Sequence, residues 1–206
     1  MIASPPTSWI GELGRKAIHL GSALFPLALA FAWVPRAVVL GVLGGGLVIA
    51  AVIEIGRRQS AAMQRWFIRW FGWMLRSHET DHLTGASWIL LAMFLAVWIL
   101  PQSAAIAALW AAVVGDTAAA LVGRSVAQRR GVAAGTKTWS GSLACALASA
   151  FGPVWLVGAA WSSAVLIGAA AALAERPMLR LDDNLRVAFG AGATAWALLA
   201  LERFPV

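Results

Sequence analysis

Between Trp139 and Ala174 the chain carries no charged residue. As one helix rising ~1.5 Å per residue, this stretch would be ~54 Å long, nearly twice the ~30 Å hydrocarbon layer of a bilayer. It is too apolar for a water-exposed surface and too long for one crossing, so it must fold back on itself. Gly152, Pro153 and Gly158 are the residues at which it can turn. The same reading predicts apolar helices over about 17–34, 37–55, 83–100, 104–122, 140–157, 159–174 and 187–201, the last being short. Pro101, Gln102 and Ser103 make the turn between the third and fourth. With 61% hydrophobic and 12% charged residues, a water-soluble globule is disfavoured, and 12 Trp with no Tyr suit anchoring by indoles at bilayer interfaces. The expectation is an all-α, polytopic membrane bundle of about seven transmembrane helices, forming one domain over 1–206. A signal peptide ending near the small-residue pattern AFA at 30–32 is the weaker reading of the first segment, which is kept in the mature protein.

Seven spans place the N-terminus and the loops at about 56–82, 123–139 and 175–186 on one side. That side holds every lysine and arginine except Arg36 and Arg203. The bias of basic residues makes it cytoplasmic; if the source is bacterial, the membrane is the inner one. A net charge of +7 dispersed over short loops points to anionic lipid and phosphate as partners and away from nucleic acid. All acidic residues except Glu202 fall on or near the same side. Insertion rules do not require that clustering, so it is a first sign of chemistry, although Glu12, Asp81 and Glu175 taken singly read as neutralisers of arginines. Within the 56–82 loop, SAAMQRWFIRWFGWMLR spaces Met63, Trp66, Phe67, Trp70, Phe71 and Met74 as one helical face, with Gln64, Arg65, Arg69 and Arg76 on another. This predicts an interfacial helix, its aromatics at the acyl boundary and its arginines at lipid phosphates. It serves as a structural collar or as a substrate-entry lip.

Four polar stretches interrupt the apolar chain. In GDTAAALVGR, Asp116 lies ~12 Å along the helix from Arg124, deep enough to require the bundle interior or a wet cavity. Gly115, Thr117, Gly123 and the small run between them permit close approach by another helix or by a ligand. GTKTWSGS, from Gly135 to Ser142, combines Lys137 with hydroxyls at a helix start, which suits either a phosphate cradle or an ordinary N-cap. It lacks Walker A spacing. In ERPMLRLDDNLR, Asp182, Asp183 and Asn184 suit Mg²⁺, which takes oxygen ligands and bridges carboxylate to substrate phosphate, or equally a turn and helix cap. Near the N-terminus, Glu12, Arg15, Lys16 and His19 share a face at helical spacing. His19 there reads as a polar bundle contact. His78 and His82 with Glu79 and Asp81 form no recognised zinc pattern, and Cys145 is a small packing residue with no partner in the chain.

Taken in order, ELGRKAIH, Glu54 with Arg57, LRSHE before TGASW, GDTAAALVGR, KTWSGSLA and LDDNL resemble the membrane family of dolichol kinase, phytol kinase and CTP-dependent diacylglycerol kinase. The set is more distantly similar to the phosphatidate cytidylyltransferases. The resemblance covers most of the chain. It implies transfer of the γ-phosphoryl group of CTP to the hydroxyl of a polyprenol, phytol-like alcohol or diacylglycerol, with Mg²⁺. Carried over position by position, Asp116, Lys137 and Asp183 would be catalytic. Asp116, Asp182 and Asp183 would hold the metal, and Gly115, Thr117, Gly123, Arg124, Gly141, Ser142 and Asn184 would bind nucleotide. By charge, Lys137 and Arg124 would meet phosphate oxygens, and either Asp116 or one of Asp182 and Asp183 would accept the alcohol proton. Ser140 stands where the family usually has a glutamate before Gly141, and SVAQRR replaces a glycine and lysine common after GR. The neighbouring alternative is CMP transfer to a lipid phosphate. A third is a transporter or scaffold in which Asp116 serves ion coupling or packing.

Overall fold

Pro26 decides the shape of the N-terminal segment. It has no N–H to give to Ser22, and its ring would collide with that residue's carbonyl in a continuous helix. In the computed structural model, which describes residues 9–75, 77–80, 82–131, 137–176 and 181–205, the segment accordingly breaks into α1 (Trp9–Gly21) and α2 (Leu24–Ala30). Of the residues weighed above, Arg76, Asp81, Gly135, Thr136 and Arg180 lie outside the described set, as does the side chain of His78. Helix α3 (Arg36–Gln59) starts directly after Pro35 and ends at Ser60, whose extended backbone turns the chain and whose hydroxyl caps α4 (Ala61–Phe71) on Met63 N–H. The predicted interfacial helix is thus a separate amphipathic element, with Trp66 and Trp70 exposed and Phe67 buried.

A 3₁₀ turn at Ser77–Thr80 leads to α5 (Gly85–Ile99), capped by the Thr84 hydroxyl. Leu100 and Pro101 join it to α6 (Gln102–Arg129), continuous except for a π-helical turn at Ala111–Gly115. Then come α7 (Trp139–Val157), α8 (Trp161–Glu175) and α9 (Asp183–Ala200). The apolar stretch does fold back, at Gly158, which holds φ 70° and ends α7 in the left-handed region that glycine adopts without strain. Pro153 stays inside α7.

The expectation of seven spans is corrected. Among the described residues three helices are long and apolar enough to cross a membrane: α3, α6 and α7. Helices α5 and α8 are apolar but have 15 residues each. That gives ~22 Å against a hydrocarbon layer of ~30 Å. The first predicted span is divided at Ser22, and α9 begins with charged residues at its N-terminal end.

Helix α6 is the axis of the bundle, with α2, α5, α7 and α9 packed around it. From Ser103 to Leu109 it is alanine-rich and buried on all sides, so neighbours approach on small side chains, as helices do where lipid removes the hydrophobic drive to associate. Helix α3 sits at the edge, with Val38, Val42, Val48, Ile49 and Val52 exposed. Meanwhile Glu12, Lys16, Glu54, Arg57, Glu79, Asp116 and Glu175 are buried. Apolar residues outside and charges inside is the distribution expected of a fold solvated by hydrocarbon.

Candidate functional site

Helix α1 lies antiparallel along α6, and polar side chains set the register. Lys16 Nζ donates to Asp116 Oδ2, and the side chains are 6% and 10% exposed. One turn on, His19 Nε2 bonds the Ala112 carbonyl at 2.9 Å; a carbonyl only accepts, so this nitrogen carries the hydrogen. One turn back, Glu12 takes Arg15 Nη2 at 2.6 Å and Arg124 Nη1 at 3.5 Å. The π turn ends at Asp116, whose N–H reaches back five residues to the Ala111 carbonyl. Such a turn rotates the following residues relative to a regular helix and recurs at functional sites.

A second network ties α3 to the segment before α5. Glu54 Oε2 accepts Arg57 Nε at 2.8 Å, while Oε1 accepts Thr84 N–H at 2.9 Å and Ser87 Oγ at 3.0 Å. Arg57 donates onward to the carbonyls of Thr80, at 2.8 Å, and His82, and its guanidinium lies over the Phe67 ring, 5.3 Å from the centroid. Glu79 Oε1 accepts Gly85 N–H at 2.9 Å.

A third joins α7, α8 and α9. Lys137 Nζ donates to Glu175 Oε1 at 2.5 Å and Asp183 Oδ2 at 3.0 Å, and Ser142 Oγ donates to Glu175 Oε2 at 3.3 Å. Burial pulls the Lys137 pKa down, but the Asp183 and Glu175 carboxylates outweigh it, so it stands above the ordinary lysine value.

These networks border one cavity of about 290 Å³. Lys16 and His19 from α1, Glu54 from α3, Glu79, Asp116 from α6, and Asp183 with Asn184 from α9 supply its polar wall. Ile18, Ile53, Phe67, Phe71, Met74 and Ile89 make the remainder apolar. Three sequence-predicted residues therefore line one cavity, Asp116 from the middle of the chain and Asp183 with Asn184 from nearer its C-terminal end.

The other predicted site residues are placed differently. Gly115, Gly123 and Gly141 lie where α6 crosses α7: a Cβ on Gly115 would come 2.1 Å from Ser149 Oγ, and one on Gly141 would come 3.2 Å from the Gly123 Cα. Of the two partners that small residues allow, these admit a helix. Thr117 is buried beside Asp116, and its Oγ1 has no hydrogen-bond partner among the described residues. Arg124 faces Glu12, and Ser142 faces Glu175. Thr138 accepts Gly141 N–H at 3.1 Å, so the start of α7 is closed by its own cap. Lys137 is directed at two carboxylates and does not line the cavity. Asp182 accepts both the N–H of Asn184, at 2.9 Å, and its Nδ2, at 2.8 Å, and caps α9. That is the capping alternative for the Asp-Asp-Asn tripeptide.

Sequence reasoning missed Lys16 as the partner of Asp116, and Glu54 and Glu79 as cavity residues. Glu175, read there as a neutraliser of arginines, holds a lysine and a serine. The available signal for Lys16 and His19 was their one-turn spacing, which matches that of Ala112 and Asp116 on the facing helix.

Among the described residues no three His, Cys, Asp or Glu side chains converge on a point that would hold a metal ion. The two aspartates that line the cavity are each held by a lysine, Asp116 by Lys16 and Asp183 by Lys137. Compared with known proteins, the chain is 26% identical over 186 residues to "Uncharacterized protein RP860" of Rickettsia prowazekii (strain Madrid E), covering 85% of this chain and 89% of that one. No family model and no solved structure matches it.

Proposed function

We infer that the protein is a membrane lipid kinase that transfers the γ-phosphoryl group of CTP to a lipid alcohol. One observation carries this reading: a single cavity is lined both by Asp116, Asp183 and Lys16 and by Ile18, Ile53, Phe71 and Met74. A lipid alcohol has that same division, a hydroxyl on a hydrocarbon chain. The choice of CTP, and of phosphoryl transfer, comes from the resemblance of GDTAAALVGR, KTWSGSLA and LDDNL to the lipid kinases.

In this reading the alcohol oxygen attacks the γ-phosphorus, the bond to the β-phosphate oxygen breaks, and CDP leaves. The hydroxyl proton passes to a cavity carboxylate, Asp116 or Asp183. Asp116 and Asp183 would hold Mg²⁺ carried by the nucleotide, which would supply neutralisation of charge on the transferring group. Lys16 moves from Asp116 towards phosphate oxygens as the nucleotide binds, while Lys137 holds Asp183 at the cavity edge through its bond to Oδ2. The excess of arginine and lysine puts this end of the bundle at the cytoplasmic face. The exposed Trp66 and Trp70 with Arg65 and Arg69 set α4 against anionic lipid.

The test supplies α-labelled and γ-labelled CTP separately, with Mg²⁺ and a membrane lipid extract. A kinase moves only the γ label into the lipid fraction, and Asp183→Asn abolishes that transfer while the protein still inserts. Transfer of the α label alone means CMP transfer to a lipid phosphate. Transfer of neither overturns the enzymatic reading and leaves a scaffold or transporter.

A further inference from the structure

The apolar lining of the cavity comes from α1, α3, α5 and α4 with the residues that follow it; of these, α4 packs on α3 and α1 on α6. Ile18 of α1 and Phe71, Met74 and Leu75, at and just after the end of α4, line the cavity together and flank the seam between the two segments. Outside them Trp73 closes the seam. A Cβ on Gly14 would lie 2.4 Å from the Trp73 ring, so the indole rests directly on the backbone of α1. Trp73 Nε1 donates to the Trp70 carbonyl at 3.2 Å, so the ring's polar atom is satisfied within its own segment and its contact with Gly14 is apolar. Beyond the seam the surface is hydrocarbon: Ile10 and Leu13 on α1, and Trp70 on α4, are exposed. Apolar side chains are thus exposed on both segments that meet at Trp73, and Ile18, Phe71, Met74 and Leu75 of the same two segments line the cavity that holds the carboxylates.

We propose that this seam is a lateral portal through which the hydrocarbon chain of a lipid alcohol enters the cavity, with Trp73 on Gly14 as its seal. The occupant follows from continuity. Exposed Ile10, Leu13 and Trp70 lie on the two segments that Trp73 joins, apolar Ile18, Phe71 and Met74 line the cavity beside that contact, and the polar groups of the cavity suit one hydroxylated head. A water-soluble substrate would gain nothing from such a route. Only the chemistry at the head rests on the kinase reading; the path does not.

The experiment uses full-length protein in lipid nanodiscs, with γ-labelled CTP and two acceptors: a long-chain alcohol dissolved in the bilayer and a short water-soluble alcohol. Trp73→Ala removes the seal, and Gly14→Ala pushes the ring off α1. Both are expected to raise kcat/KM for the long-chain alcohol several-fold and leave the short one unchanged, with Trp73→Phe close to wild type. Equal changes for both alcohols, or no change for the long one, overturn the portal. Should the wild type phosphorylate neither, the kinase reading fails separately, and the portal is judged by a diazirine-bearing long-chain alcohol. Labelling of Ile18, Phe71 or Met74 that rises in Trp73→Ala upholds it, and labelling confined to the outer faces of α3 and α7 overturns it.

Discussion

The Lys16–Asp116 pair invites a test that separates structure from chemistry. Both side chains are nearly sequestered, 6% and 10% exposed, and each is the other's charge partner. Removing one leaves the other charged in a low-dielectric interior, a loss of about 3–5 kcal/mol in buried pairs. Lys16→Met and Asp116→Leu are each expected to destabilise by about that amount. The double variant exchanges the pair for apolar side chains of similar volume and should return to within about 1 kcal/mol of wild type, because the desolvation of both charges disappears with their attraction. The cycle therefore predicts a coupling energy of at least about 5 kcal/mol, read from reversible unfolding in mixed micelles. Singles that add to the double within about 0.5 kcal/mol would show that the two groups do not support each other. The stable double variant then reports on chemistry: it should transfer no phosphate, and full activity in it would remove Asp116 from the mechanism.

Three further outcomes follow from the contacts. Gly115→Ala, whose Cβ would meet Ser149 Oγ at 2.1 Å, should lower stability by about 1–3 kcal/mol. Adding Ser149→Ala should restore it, since the Ser149 Cβ stands 3.5 Å away. Lys137 has its pKa raised in the fold, so its contribution is complete below the ordinary lysine value and is lost as pH climbs through the raised one. With a side chain 33% exposed, the pair is worth under about 1 kcal/mol. The melting-temperature difference between wild type and Lys137→Gln should accordingly be constant at neutral pH and shrink above about pH 10.4. Arg57→Ala leaves Glu54 buried without its main cation and releases the Thr80 and His82 carbonyls, a cost of about 3–5 kcal/mol. Limited proteolysis should then cut faster between α4 and α5.

Much of the helix layout was legible because apolar length and punctuation residues mark it. The breaks at Pro35, Pro101 and Gly158, and the separate amphipathic helix after Ser60, lie where the sequence put them. The span count was not, because hydropathy alone does not distinguish a helix that faces lipid from a short one packed among others, as with α5 and α8. In the candidate site, Asp116 was legible as a carboxylate within an apolar helix, and Asp183 with Asn184 as oxygen-bearing side chains of a cluster between two apolar segments. Their partners were not, because Lys16 meets Asp116 only through the antiparallel register of α1 on α6. Gly115, Gly123 and Gly141 illustrate the converse. A glycine signals close approach, and the sequence does not say whether a helix or a phosphate does the approaching.

The departure at Ser140 has a structural counterpart. No acidic side chain precedes Gly141, and the Ser140 hydroxyl pairs with that of Thr138 at 3.2 Å. A carboxylate nevertheless stands against Lys137, delivered from the end of α8 by Glu175 and fixed on its other oxygen by Ser142. The acid beside the lysine is thus supplied by a neighbouring helix, and its geometry depends on α7 packing against α8. That packing is close because Gly168 faces the Ala146 carbonyl, which a Cβ would approach to 2.2 Å. Lys137, bound to both Glu175 and Asp183, links this helix pair to the cavity edge. For the proposed transfer it therefore acts as a positioning residue for Asp183, so Lys137→Arg, which keeps the charge and can still reach both carboxylates, should retain more activity than Lys137→Gln. Equal losses in the two variants would instead place the lysine directly on phosphate, where an ammonium's point charge does not tolerate the exchange.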